Sequence, residues 1–145
     1  MSTIIKDVCA AVVTQLNTGS FSQEFTAERK WKPDFKLEEL ETLRVTASVD
    51  PENIRVERAS RGATRWTIPV KVLVQVKLGR NYESETDGYV ELLEEIVAEL
   101  AFLRLSDKED AIPMSLDPLM IFGSSMRDDV LVFVGSVTAN YRVNA

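Results

Sequence analysis

Hydrophobic and polar residues alternate along residues 66–78, WTIPVKVLVQVKL. One set of alternate positions carries Trp66, five β-branched residues and Leu78, whereas the other set is mainly polar. This period of two is typical of a half-buried β-strand. Such a strand extends over about 40 Å, enough to cross a small domain and project beyond it. Because Pro69 has no N–H group, we expect an edge, a bulge or an overhang at that position.

Two other segments repeat their apolar residues every three or four positions, which predicts amphipathic helices. The first covers residues 3–17, and its apolar stripe includes Cys9. We interpret Cys9 as a small core residue, because the chain contains no histidine that would activate a thiol nucleophile. The second covers residues 88–105, with Thr86 or Asp87 as the predicted N-cap after a polar connection over residues 79–88.

Shorter alternating segments predict the remaining strands. They cover residues 21–32, 43–49, 54–58, 119–124 and 130–142. Residues 60–63 form the predicted turn of a hairpin that leads into the long strand. Residues 37–40 are predicted to form a single helical turn. A loop is predicted over residues 106–118 and a turn over residues 126–129. Val130, Val132 and Val134 make the second face of the last strand apolar too, which predicts a central strand or a covered surface. The sequence therefore predicts one domain over residues 1–145 of α+β class, with an antiparallel or mixed β-sheet, a long β-hairpin and two flanking α-helices.

Composition and motifs point away from catalysis. The chain has 145 residues, a single cysteine and no histidine, so it lacks the commonest general base and metal ligand. Phosphate loops, dinucleotide-binding glycine motifs, metal-spaced clusters and nucleophile elbows are absent from the sequence. No apolar run approaches 18 residues, and the N-terminal segment does not have the pattern of a secretory signal. We therefore expect a non-enzymatic protein without cofactor or metal; the rival is an enzyme or small-ligand binder, which would need a polar pocket.

Charge is unevenly distributed along the chain. The net charge of −6 argues against general nucleic-acid binding. Residues 53–82 contain seven basic residues and one acidic residue, a net charge of +6, whereas residues 83–110 contain ten acidic and two basic residues, a net charge of −8. Two interpretations remain open: two solvated surfaces, or two complementary patches that dock between neighbouring copies of the chain.

Eight residues form the candidate interface. The hairpin arginines favour an acidic protein surface over phosphates, since no aromatic residues are interleaved with them. The glutamates of the second helix are interpreted as a solvated polar face in preference to a carboxylate metal site. Phe102 falls on this polar side, so we predict that a partner covers it. The candidates are Arg55, Arg58, Arg61, Arg65, Glu91, Glu95, Glu99 and Phe102.

Two features of the sequence can be compared with known families: the order of the predicted elements and a local pattern of turn and apolar residues. The pattern runs Phe25-Thr26-Ala27-Glu28-Arg29, Pro33, Leu37-Glu38-Glu39-Leu40, Leu43-Arg44-Val45-Thr46, Pro51 and Ser60-Arg61. In both respects the chain resembles the small tail-terminator, or tail-completion, proteins of tailed bacteriophages and prophages. The resemblance covers most of the chain and is strongest over residues 21–78.

The resemblance implies a virion structural protein found in the tail or neck, and in the host cytoplasm during assembly. Its subunits, commonly six, would form a ring that caps the tail tube and joins it to the head–tail connector. DNA would pass through the lumen without specific binding, and no membrane would be involved. The family has no catalytic residues to transfer. The alternatives are a head-completion or connector protein of the neck, and a non-viral α+β domain of another role.

Overall fold

The computed structural model describes residues 4–101, 110–119, 125–127 and 130–144. Within these ranges the chain forms two α-helices, one short 3₁₀ helix and seven strands. The elements are α1 (Ile4–Thr18), β1 (Ala27–Arg29), the 3₁₀ helix (Leu37–Glu41), β2 (Arg44–Val49), β3 (Arg55–Ser60), β4 (Ala63–Lys77), α2 (Tyr82–Ala101), β5 (Ile112–Leu119), β6 (Ser125–Arg127) and β7 (Val130–Asn144).

All seven strands belong to one mixed sheet with the order β1–β2–β4–β7–β5. In addition, β3 pairs with β4 beyond the end of β2, and β6 pairs with β7. Only the β1–β2 pair is parallel, whereas all the other pairs are antiparallel. The predicted α+β class, with a mixed sheet, a β3–β4 hairpin and two helices, is confirmed.

The main core lies between the two helices and one face of the sheet. The apolar positions predicted for the long strand face this core, and Ile68, Val70, Val72 and Val74 are completely buried. Helix α1 packs against β1, β2 and β4, while α2 packs against β7 and β5. Cys9 is buried in this core, as predicted.

A second, smaller cluster covers part of the opposite face of the sheet. The chain crosses to this face after β1, and Phe35 and Leu40 pack there on Val132. Gln75 of β4 is buried beneath this crossing, where its amide donates a hydrogen bond to the Pro33 carbonyl, 3.3 Å away. In the first half of β7, Val132 is buried and Val134 partly buried on this second face, as the apolar residues predicted, while the side chain of Val130 lies outside the described part of the chain. The alternation in β4 predicted a half-buried strand, and on its mainly polar face the side chain of Gln75 is nevertheless buried.

Strand β4 is central rather than projecting. It pairs with β7 from Arg65 to Lys77, so only its first two residues, Ala63 and Thr64, lie beyond that pairing. Pro69 lies where β2 has ended at its pair with Val70 and β3 begins at its pair with Thr67. The proline thus occupies a gap in pairing on one side of β4, which accommodates its missing N–H group.

The predicted strand over residues 21–32 is mostly wrong. Only Ala27–Arg29 forms a strand, and it pairs in parallel with β2. The Asn17 side chain accepts from the Ala27 N–H group at 2.7 Å and donates to the Ala27 carbonyl at 3.2 Å. Phe21 and Phe25 pack together with ring centroids 5.1 Å apart and lie against the core. Side chains from the helices therefore hold this segment, and they replace the predicted ladder of backbone hydrogen bonds.

Helix α2 begins at Tyr82, six residues before the predicted start, so Thr86 and Asp87 lie inside the helix and do not cap it. The Asn81 carbonyl accepts from the Glu85 N–H group at 3.0 Å and from the Ser84 hydroxyl at 3.1 Å. The Glu85 carboxylate in turn accepts from the Gly79 N–H group at 2.7 Å. These local bonds start the helix early. Its predicted end at residue 105 lies outside the described residues.

The C-terminal region also differs from the prediction. Within the predicted loop, Ile112–Leu119 forms edge strand β5, which tolerates Pro113 and Pro118 because it has β7 as its single neighbour. Residues 126 and 127 belong to β6 and not to a turn. The predicted strand over residues 119–124 lies outside the described residues after residue 119.

Candidate interaction surface

The β3–β4 hairpin is the most exposed strand pair in the described structure. Residues 55–58 are all exposed, and β3 pairs with β4 alone. The turn contains Gly62, whose positive φ of 77° suits a residue without a side chain. Strand β3 therefore presents both of its faces and one edge to solvent, whereas Trp66 of β4 packs against the main core.

The four candidate arginines of the hairpin do not share one surface. Arg55 and Arg65 lie on the sheet face opposite the helices. The odd-numbered residues of β4 occupy that face; Arg65 is one of them, and Arg55 pairs with another, Thr67. Arg58 lies on the helix-bearing face, opposite Thr64, and Arg61 lies in the exposed turn. None of them forms an ion pair with the described residues. The predicted basic patch is consequently a basic hairpin end with charge on all sides.

The three candidate glutamates of α2 differ in their contacts. Glu95 accepts hydrogen bonds from the Ser22 N–H group at 3.0 Å and the Ser22 hydroxyl at 2.6 Å. Glu99 accepts from the Gln15 side-chain amide at 2.8 Å, which links the two helices. Glu91 and Glu94 are exposed, and the structure gives them no partner among the residues that it describes. Of the three candidates, only Glu91 is unengaged by the described residues; Glu94 lies beside it on the exposed side of α2, and Phe102 lies outside the described residues.

The basic turn and the acidic helix are far apart within one copy. Tyr89 contacts Phe133, with ring centroids 5.4 Å apart, and Leu93 lies directly over Gly135. Helix α2 thus runs along β7 towards the hairpin, and Glu91 lies near the β4 row that contains Val74. Ten strand residues separate that row from Thr64, a distance of about 30 Å. Since the screening length at physiological salt is about 8 Å, the two charged regions do not attract each other within a single copy.

Among the described residues, three side chains have a pKa that is shifted by burial. Burial raises the pKa of Cys9 to about 11 against a weaker opposing effect of Arg29, so the thiolate is disfavoured. The Tyr141 hydroxyl is completely buried without a hydrogen-bond partner in the described chain, and burial raises its pKa. Burial and the neighbouring Glu85 likewise raise the pKa of Tyr89. No group of three metal-ligating side chains is found among the residues described.

A shallow polar depression lies on the sheet face opposite the helices, beside the gap between β2 and β3. Its volume is about 520 Å³. The depression is lined by Asp50, Asn53, Arg55, Glu57, Thr67, Pro69, Asp117, Thr138 and Asn140.

Sequence reasoning missed two exposed apolar side chains. Trp31 falls near the end of the predicted strand over residues 21–32, yet it is 62% exposed in a bend, with the Arg29 guanidinium 5.5 Å from its ring centroid. Val56 is 53% exposed opposite Trp66. The exposure of Val56 could have been predicted from its two neighbours, because both of them are charged. A single apolar residue between charged residues indicates a short strand without a buried face.

No family model matches this chain, and no curated protein matches it significantly in sequence. Neither helix in the described residues is long and apolar enough to span a membrane.

Proposed function

We propose that this protein is a tail terminator of a tailed bacteriophage or prophage. It is a non-enzymatic virion protein of the tail or neck that forms a homo-oligomeric ring, with six subunits as in the family that it resembles. The ring caps the tail tube and binds the head–tail connector. DNA passes through its lumen without sequence-specific contacts.

One observation carries the proposal: the basic hairpin turn and the exposed Glu91 of the acidic helix lie at separate places on one copy, about 30 Å apart along β4. Arg58 and Arg61 are exposed at one position, and Glu91 and Glu94 at the other. Two different, complementary surfaces on one chain favour head-to-tail contacts between copies. When the rotation between copies closes, contacts of this kind form a ring.

The acidic character of the chain also supports this role. A net charge of −6 disfavours tight binding of the protein to a DNA backbone. A ring through which DNA moves needs weak contacts with that backbone. The hairpin arginines then serve protein contacts, where guanidinium groups pair well with carboxylates.

The decisive experiment combines assembly with tail-tube capping. The purified protein is studied by light scattering and negative-stain microscopy at low and high salt, with and without polymerised tail tubes. We expect rings that weaken as salt rises, and tube ends that carry a ring and no longer elongate. A monomer that binds neither tube ends nor connector would overturn the proposal. Binding to the connector without binding to tubes would assign the protein to head completion instead.

A further inference from the structure

Among the described residues, nothing pairs with the outer edge of β3. Strand β3 has β4 as its only neighbour in this part of the chain, and a strand with one free edge offers unpaired backbone N–H and C=O groups. The described part of the sheet has no comparable edge elsewhere. Strands β1 and β6 have three residues each, while β5 contains two prolines and a register irregularity between Pro113 and Ser115.

The pairing pattern identifies which backbone groups of β3 face outward. The Pro69 carbonyl accepts from the Asp50 N–H group at 3.1 Å, so odd-numbered residues of β4 direct their backbone groups towards β2 and β3. Consistently, the even-numbered Leu78 donates towards β7, to the Leu131 carbonyl at 2.9 Å. Arg55 and Glu57 pair with odd-numbered residues and therefore bond to β4. Val56 and Arg58 direct their N–H and C=O groups to the free edge.

These positions allow only certain antiparallel registers between two copies of β3. If Val56 pairs with the second copy's Val56, Arg55 lies opposite Glu57 on both sides of the two-fold axis. A shift by one step in either direction places Glu57 opposite Glu57, or Arg55 opposite Arg55. Like charges directly opposite each other destabilise a strand pair, whereas opposite charges stabilise it. The charge sequence of β3 is therefore self-complementary in one register.

The same register covers the exposed apolar side chain of the hairpin. Val56 pairs with Trp66 inside one copy, on the helix-bearing face of the sheet. Pairing of the two Val56 residues extends this into a strip of Trp66, Val56, Val56 and Trp66 across the axis. Cross-strand pairs of aromatic and β-branched residues are among those that stabilise sheets.

We propose that the free edge of β3 binds a second copy of this chain, in antiparallel register centred on Val56. The contact joins two sheets into one continuous sheet around a two-fold axis. It does not rest on the proposed ring, because in this register Arg58 lies opposite the uncharged Ile54 of the second copy. The two contacts are therefore lost independently of each other.

Two single charge variants and their mixture test the register. In Glu57→Arg each pair becomes Arg opposite Arg, and in Arg55→Glu each pair becomes Glu opposite Glu. We expect each variant alone to dimerise about tenfold more weakly than the wild type, because two cross-strand charge pairs change sign. An equimolar mixture restores opposite charges at both pairs, so a heterodimer of wild-type affinity is expected in sedimentation equilibrium. A mixture that stays as weak as its components overturns the proposal.

Disulfide trapping gives a second measurement that does not depend on charge. In this register the two Val56 residues form a hydrogen-bonded pair, whose Cα atoms lie about 5.5 Å apart. A disulfide spans such a distance. Oxidised Val56→Cys is therefore expected to form a covalent dimer. Ser60 is exposed on the same hairpin, but in this register it lies opposite residue 52 of the second copy, eight positions away from that copy's Ser60. The Ser60→Cys variant should therefore remain monomeric. Equal crosslinking of both variants, or none of Val56→Cys, overturns the proposal.

Discussion

Gly135 shows how one residue sets the distance between a helix and the sheet. It lies in β7 beneath α2, where an added Cβ atom would overlap the Leu93 side chain and lie 3.2 Å from the Phe133 ring. Both of these neighbours are buried and cannot move aside into solvent. Absence of a side chain at this position therefore allows α2 to pack closely on β7.

We predict that Gly135→Ala lowers the free energy of unfolding by about 1–3 kcal/mol, the usual cost of overpacking a core. Urea denaturation followed by circular dichroism measures this change. In a Leu93→Ala background the new methyl group has space, so the same substitution should cost less. An equal cost in both backgrounds would show that the overlap with Leu93 is not the cause.

Burial of Cys9 makes stability sensitive to alkaline pH. Its thiol donates to the Ala47 carbonyl at 3.5 Å, and burial raises its pKa to about 11. Because the folded pKa lies above the unfolded one, the neutral thiol favours the folded state below about pH 9, and this advantage is lost as pH rises through about 11. We predict that the wild type loses on the order of 2 kcal/mol more than Cys9→Ala between these pH values, as measured by urea denaturation. Parallel pH profiles would contradict this.

Among the elements, the segment between β1 and β2 has an effect greater than its regular structure suggests. Its 3₁₀ helix has five residues, with the Lys36 N–H group donating to the Glu39 carboxylate at 3.0 Å. From it Leu40 reaches the second face of the sheet and is completely buried with Phe35 and Val132. Lys30 and Arg44 lie over the Phe35 ring, 4.5 and 5.6 Å from its centroid. This short element therefore covers part of the sheet face opposite the helices.

We predict that Leu40→Ala destabilises the protein by about 2–5 kcal/mol, because it removes buried atoms and leaves a cavity above Val132. Thermal denaturation measures the effect. Glu38→Ala, on the exposed side of the same turn, is the matched control and should change stability by less than about 0.5 kcal/mol. Similar losses in both variants would mean that the turn itself, and not the buried leucine, is what matters.

At the scale of the whole molecule, separation of charge is the feature with functional consequences. The structure leaves Arg58 and Arg61 exposed at the hairpin and Glu91 and Glu94 exposed on α2, while Glu95 and Glu99 bind this chain's own residues. The proposed head-to-tail contact therefore uses Glu91 and Glu94 as the acidic partners.

We predict that Arg58→Glu with Arg61→Glu weakens head-to-tail self-association at least tenfold without changing the melting temperature. Combination with Glu91→Arg and Glu94→Arg should restore association, since complementary charge is then reversed on both surfaces. Lys6→Glu with Lys32→Glu makes the same change in net charge at exposed positions elsewhere and should have little effect. Light scattering at low salt measures all four proteins. Equal weakening by the control would indicate net charge rather than a specific surface.

The apolar pattern of the sequence determined much of this architecture. Alternation identified β4 and its buried face, a period of three to four residues identified α1 and most of α2, and the valines of β7 indicated burial on both faces. These features follow from the local geometry of strands and helices, which is visible in the spacing of side chains. The basic hairpin and the acidic helix were likewise apparent from the order of charges.

Only the tertiary structure decided which side chains are engaged and where the strands end. Asn17 and Glu95 hold residues 22–27 through side-chain hydrogen bonds, so a predicted strand shrank to Ala27–Arg29. The same packing removed Glu95 and Glu99 from the free acidic surface and left Val56 on an open edge. These outcomes depend on contacts between residues as much as 84 positions apart in the chain, and no local pattern of residues encodes such contacts.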